Sequence, residues 1–149
     1  MNELKNRAFA LINTWTTAEV TSIAGMLDAG FEEIDHPQPT ARGLTGLRDK
    51  LALFHKVHSN VAIRVRKQIE QGDIVCIQWL LTAQVRGATA GPDEAPLVVY
   101  QPAISWVYFA NGKIVRHRLY RDIVGYLVQR GYKWSEAGAK NATEKEPQP

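Results

Sequence analysis

Three residues in this chain carry side chains that could do chemistry in a suitable setting. Asp35 closes the segment FEEID, directly before His36-Pro37. His117 lies in KIVRHRLY among Arg116, Arg118 and Arg121, and Ser105 lies within the long apolar run LVVYQPAISWVYF. A carboxylate at the mouth of an apolar pocket has its charged form disfavoured by desolvation, which suits it to exchanging protons. In the same place it could instead cap a turn and face water. A histidine can shuttle a proton or orient a substrate oxygen. Ser105 shares strand parity with Ala103 and Val107 and could offer its hydroxyl to a carbonyl. A nucleophilic serine would also need an adjacent base and an orienting acid, and no such motif is visible. Trp15, Trp79 and Trp106 read as core or interface aromatics, and Asp122 as a helix N-cap.

Composition narrows the chemistry further. The chain of 149 residues has the length of one domain, expected over residues 1–134, with a polar, proline-ending tail over 135–149. Its one cysteine, Cys76, sits in IVCIQWLL, which offers neither a disulfide framework nor metal-ligand spacing; no metal and no cofactor are expected. The net charge of +3 is spread along alternating segments without interleaved aromatics, so nucleic acid is not expected as a partner. No apolar run approaches the ~20 residues of a membrane span. A soluble cytoplasmic protein follows.

The elements that would position these residues come in two blocks. Leu4, Ala8, Leu11 and Ile12 recur at helical spacing over residues 3–14. Thr16 or Thr17 predicts the cap of a second helix that carries Val20, Ile23, Ala24 and Leu27 and stops at Gly30. Phe31–Asp35 predicts a short strand ended by HPQP, and Thr45 predicts the cap of a helix through Leu47, Leu51 and Phe54. Strands are then expected at Val61–Ile69, Ile74–Val85, Leu97–Phe109 and Lys113–Tyr120. Asn111-Gly112 sets a hairpin before the last, and Asp122 caps a closing helix that Gly131 ends. Helices followed by antiparallel strands predict an α+β fold with the helices on one face of the sheet.

Two segments carry a family resemblance. FEEIDHPQPTARGLTGLRDKL resembles the nuclear-transport-factor-2-like stretch in which a short strand brings a polar residue into a pocket. ANGKIVRHRLYRDIVGYLVQRG resembles the closing hairpin and helix of the SnoaL-like polyketide and ester cyclases, including Asp122 and the Gln-x-Gly at 129–131. The resemblance implies a cone-shaped, curved, mostly antiparallel sheet with helices packed on its concave face. It also implies a deep apolar pocket and a homodimer through the outer sheet face, using Trp106, Tyr108 and the arginines of the last strand.

Carried over residue by residue, Asp35 falls where isomerase-like members have a catalytic aspartate and where cyclases and epoxide hydrolases have an asparagine. Ser105 falls where cyclases have a pocket histidine and isomerases a pocket aspartate. Leu119 falls where cyclases and epoxide hydrolases have a catalytic aspartate, while Trp79 and Leu81 fall where epoxide hydrolases have an arginine and a second aspartate. Leu119 thus faces inward by resemblance, and His117, of the same parity, faces inward with it; Arg116, Arg118 and Tyr120 face outward. The resemblance implies a cofactor-free cyclisation or isomerisation of a small, apolar, oxygenated, polyketide-like substrate. Asp35 is expected as acid or base and His117 as its catalytic companion, with Ser105, Trp79, Leu81, Leu119 and Trp15 around the substrate. Apolar residues at three catalytic positions keep two alternatives open: a non-catalytic protein that binds a hydrophobic ligand or dimerises, and an epoxide-hydrolase-like activity with altered residues.

Overall fold

Six strands form one sheet in the order β2-β1-β6-β5-β4-β3 in a computed structural model that describes residues 2–91 and 95–133. The elements run α1 (Glu3–Thr17), a 3-10 helix (Thr21–Met26), β1 (Leu27–Ile34), β2 (Ala41–Arg42), α2 (Gly43–Val57), β3 (His58–Gln71), β4 (Ile74–Thr89), β5 (Pro96–Ala110), β6 (Lys113–Arg121) and α3 (Ile123–Gln129). Every neighbouring pair is antiparallel except β1 with β6. Register shifts in β3, at the far end of β4 and at the start of β6 mark bulges, which bend and twist a sheet. The expected α+β architecture is the one found. The segment 135–149 expected as a tail lies outside the described residues.

Strand alternation decides which side becomes the core. Along β4, Val75, Ile77, Trp79, Leu81, Ala83 and Val85 are all buried, and β5 answers with Val99, Ala103, Val107 and Phe109 on the same side. α1 lays Ala8, Leu11, Ile12 and Trp15 over β3 and β4, while α2 lays Leu47 and Leu51 against β1. These spacings of three and four residues form the apolar stripe an amphipathic helix needs. Asn111 (φ 52°) and Gly112 (φ 77°) both take positive φ, the pairing a two-residue hairpin of matching twist requires.

Two expected boundaries are corrected. The second helix does not form: α1 continues through Thr17 and ends on Ala18 in the left-handed conformation (φ 59°). A 3-10 turn then leads straight into β1, which starts at Leu27 and contains Gly30. Val20 and Ile23, both buried, are three residues apart, a spacing that a 3-10 helix satisfies as well as an α-helix does. Nor does Thr45 cap α2, which begins at Gly43 with Arg42 before it. No helix among the described residues is long and apolar enough to cross a membrane.

Asp122 does cap α3, its Oδ1 accepting from the Gly125 N–H at 2.8 Å. α3 buries no residue fully, so the cap matters to it more than packing does. Asp122→Ala should lower the unfolding free energy by about 1 kcal/mol, measured as a reduced urea midpoint at unchanged slope.

Candidate active site

β1 brings two acids inside. Its alternation turns Phe31, Glu33 and, one residue past its end, Asp35 toward the helices, and all three are buried. Glu32 faces the other way and pairs with Arg42 and Arg116. α2 answers with Lys50, three residues after Leu47 on the same helix face. β6 adds His117, Leu119 and Arg121 by its period of two, in register with Val107, Ser105 and Ala103 of β5.

Together they make a continuous polar chain through the core. Trp79 Nε1 donates to Ser105 Oγ at 2.9 Å, and Ser105 Oγ lies 2.7 Å from His117 Nε2. His117 Nδ1 lies 2.6 Å from Glu33 Oε1. Lys50 Nζ donates to Glu33 Oε2 at 2.5 Å and forms an ion pair with Asp35 Oδ2 at 2.9 Å. Arg121 then grips Asp35 with Nε at 3.2 Å and Nη2 at 2.7 Å, and its Nη1 reaches Gln101 Oε1 at 3.3 Å. Burying charge is costly unless it is paired and hydrogen-bonded, and every buried side-chain polar atom among the described residues has a partner.

The chain has an open end and a closed end. Lys50 and Arg121 keep 14% and 10% of their side chains exposed, whereas Glu33, Asp35, Ser105 and His117 keep none. Above the open end lies a cavity of about 380 Å³ walled by Trp15, Leu53, Phe54, Val57, Ile123 and Leu127. Trp15 lies beneath both cations, its ring 5.5 Å from Lys50 Nζ and 5.3 Å from the Arg121 guanidinium. His58, Tyr126, Gln38 and Gln101 also line it. His58 Nδ1 contacts the Phe54 carbonyl at 3.0 Å, so it carries the proton and donates, while Nε2 accepts from the Tyr126 hydroxyl at 2.7 Å. Burial, with the charges of Arg130, Arg121 and His55 adding to it, holds the His58 pKa below its ordinary value against the Phe54 hydrogen bond.

The predicted site residues therefore divide. Asp35, His117 and Ser105 all point inward and are joined through Glu33 and Lys50, but none lines the cavity. Trp15 lines it; Trp79, Leu81 and Leu119 are buried in the core without doing so. The dry surroundings expected for Asp35 are replaced by two cations, because α2 and β6 each place one there. The arginines of the last strand do not all face outward either, since Arg121 has the parity of His117 and Leu119. The serine, base and acid that no motif displayed are present as Ser105, His117 and Glu33, with Glu33 brought from 84 residues away. Their complete burial keeps a substrate from Ser105. Glu33, Lys50, Arg121, His58 and Tyr126 went unread as site residues. The alternation Phe31-Glu33-Asp35 and His117-Leu119-Arg121 was the available signal for Glu33 and Arg121.

Glu33 couples this site to stability. Burial alone would raise its pKa, but the Lys50 ammonium and His117 outweigh burial and hold it at about 2, against an ordinary 4.5. A depressed carboxylate contributes stability that is complete above its unfolded value and is lost as pH falls through the folded one. Glu33→Gln should therefore be less stable than wild type at pH 6, and the gap should narrow as pH falls from 4.5 toward 2, measured by urea unfolding across that window.

The comparisons with known proteins agree with this architecture. The family model described as SnoaL-like polyketide cyclase matches residues 6–130. A protein with a ketosteroid isomerase-like fold from Catenulispora acidiphila, solved in complex with trimethylamine, superposes with a TM-score of 0.72 at 20% identity, covering 87% of this chain and 96% of its own. A candidate SnoaL-like polyketide cyclase from Jannaschia sp. CCS1 does so with a TM-score of 0.72 at 17% identity, over 89% of this chain and 94% of its own. An NTF2-like protein from Burkholderia xenovorans gives 0.66 at 14%, over 86% and 95%. No curated protein matches this chain in sequence. With the matched residues spanning α1 through α3, the chain belongs to the SnoaL-like polyketide cyclase family.

Proposed function

We propose that the protein is a small-molecule enzyme that moves a proton at a carbon beside a carbonyl, the step that starts a cyclisation or an isomerisation of an oxygenated, polyketide-like substrate. The observation that carries this reading is the open end of the polar chain, two cations side by side at the floor of a largely apolar cavity. A substrate oxygen placed there meets Lys50 and Arg121, donors fixed in advance where negative charge develops. The C–H bond breaks and its proton passes to the Tyr126 oxygen while the Tyr126 proton moves to His58 Nε2. The electron pair left on carbon delocalises onto the oxygen held by the two cations. Reprotonation, or attack of that carbon on a second carbonyl, completes isomerisation or ring closure and returns the proton. The scheme needs no cofactor.

In this scheme Asp35 acts through Lys50 and Arg121, since its carboxylate is shielded by both. His117 and Ser105 act through Glu33 in the same way. The family match supports the reading at the level of fold and class. A non-catalytic ligand-binding role is the second reading, favoured by the complete burial of Glu33 and Asp35, the two acids of the polar network. The same proposal places the protein in the cytoplasm, in keeping with its single free cysteine, Cys76.

We also propose a homodimer through the outer sheet face. Tyr100 (54%), Ile104 (43%), Trp106 (40%) and Tyr120 (54%) stand exposed there, an apolar patch of the kind that marks an interface. Arg116 lies over the Tyr108 ring at 6.0 Å, adding charge at its border.

Deuterium exchange at the α-carbon of an aryl ketone, followed by NMR in D₂O, tests the chemistry. Wild type should accelerate it, and Tyr126→Phe, which removes the relaying hydroxyl, should lower the rate by roughly 10²–10⁴-fold, the range of one positioned proton-transfer group. Asp35→Asn, which disturbs the two cations, should lower it as well. Asp35→Asn should also cost stability, because it leaves Lys50 and Arg121 short of one negative charge. No acceleration by wild type over a range of ketones would leave ligand binding as the better reading. For the assembly, sedimentation should show a dimer at micromolar concentration and a monomer for Trp106→Glu; a monomeric wild type contradicts the interface.

A further inference from the structure

We infer that the ligand of this cavity binds as an organic anion whose charge is shared between two oxygens, either a carboxylate or the ionised enol of a 1,3-dicarbonyl. That group sits between Lys50 and Arg121, and the inference rests on the functional reading above only for the location of the site.

The hydrogen-bond inventory of the cavity floor sets this requirement. An ammonium has three N–H groups and a guanidinium five. Lys50 uses one, on Glu33, and meets Asp35 only as an ion pair, while Arg121 uses three, on Asp35 and Gln101. Two N–H groups of Lys50 and two of Arg121 remain without a hydrogen-bond acceptor among the described residues, at the only two members of the charged chain that reach the cavity. An apolar ligand would cover these donors and leave them unpaired, which is costly. A single neutral carbonyl oxygen has two lone pairs for four donors. A planar two-oxygen anion has enough acceptors, matches the fork of the guanidinium, and gains charge-assisted bonds.

Asp35 shows the same recognition on the buried side. Its carboxylate receives both arms of Arg121 and pairs with the Lys50 ammonium, with Lys50 Nζ and Arg121 Nη2 meeting on the same oxygen, Oδ2. A ligand on the cavity side meets the remaining edges of the same pair. Trp15 fixes those edges by occupying the face of both cations. The charges near the cavity favour the same sign: the acids Glu33 and Asp35 are turned away without exposure, while Arg130 approaches from α3 and donates to Tyr126 Oη at 3.3 Å. Leu53, Phe54, Val57 and Leu127 leave an apolar space for the body of the ligand.

Calorimetric titration with 2-naphthoate and 2-naphthamide, equal in shape and different in charge, tests the inference on the wild-type protein. The naphthoate should bind at least about tenfold more tightly, and the preference should shrink with added salt. Lys50→Met should remove most of it; Arg121→Lys, which keeps the charge and loses the fork, should reduce it if Lys50→Met does not fold. Titration with 1-phenylbutane-1,3-dione across its enol ionisation separates the two sources. Binding that strengthens with pH identifies the enolate, and naphthoate binding alone identifies the carboxylate. Equal affinity for naphthoate and naphthamide, or binding of neither naphthoate nor the dione, overturns the inference. An anion preference without deuterium exchange would leave it standing and remove the proposed chemistry.

Discussion

Lys50 lets two acids sit side by side in this core. Glu33 lies in β1 and Asp35 one residue past its end; both have no exposure to water and pair with the same ammonium group. Without that ammonium, two like charges would face each other in a low-dielectric interior, where both repulsion and desolvation are at their strongest. With it, and with Arg121 on the far side of Asp35, charge alternates along the chain and each group is satisfied. Much else in the architecture serves this contact: α2 must lie where Lys50 reaches β1, and β1 must pair in parallel with β6 so that His117 and Arg121 flank the acids.

The same arrangement decides what the cavity can offer a ligand. Because the carboxylates are spent on holding the cations, the charged chain presents donors rather than acceptors to the open space. Proton acceptance then falls to the opposite wall, where the Phe54 carbonyl fixes the His58 tautomer and Tyr126 supplies the intervening hydroxyl. Tyr126 belongs to α3, a short helix that buries no residue completely and is held by the Asp122 cap and by Gln129, whose side chain bonds both the N–H and the carbonyl of Tyr100. The roof of the site is thus its least firmly packed element, which is where access for a ligand is least costly.

The closed end of the chain shows how a reactive-looking constellation can be structural. Ser105, His117 and Glu33 stand in the order and at the distances of a nucleophile, its base and an orienting acid. They lie inside the sheet, with the Trp79 indole donating to the serine oxygen. Their position suits them to holding Glu33, and through it Lys50, in one orientation.

Much of this was fixed by local sequence. Alternation in β4 and β5, the Asn111-Gly112 turn, the Asp122 cap and the helical stripes of α1 and α2 follow from periods and turn chemistry that act within a few residues, so the fold class and most strands were legible. The second helix was misread because Val20 and Ile23 fit a 3-10 turn equally well, and the left-handed Ala18 that breaks α1 carries no sequence signature such as glycine. The candidate site was legible only in part. Strand parity is a local property, and it groups Ser105 with Ala103 and Val107 and His117 with Leu119. The inward direction of Leu119 and Asp35 came from the resemblance, and Asp35, Ser105, His117 and Leu119 are all buried. Which residues stand opposite them is set by how α2 and β6 pack against β1, across 17 to 86 residues of chain. Lys50 and Arg121 read as ordinary surface charges until that packing removes most of their solvent and supplies the acids that make their burial possible. Sequence determined the elements and the direction each side chain points; tertiary structure alone decided which charges meet, because pairing depends on distance in space and not on spacing along the chain.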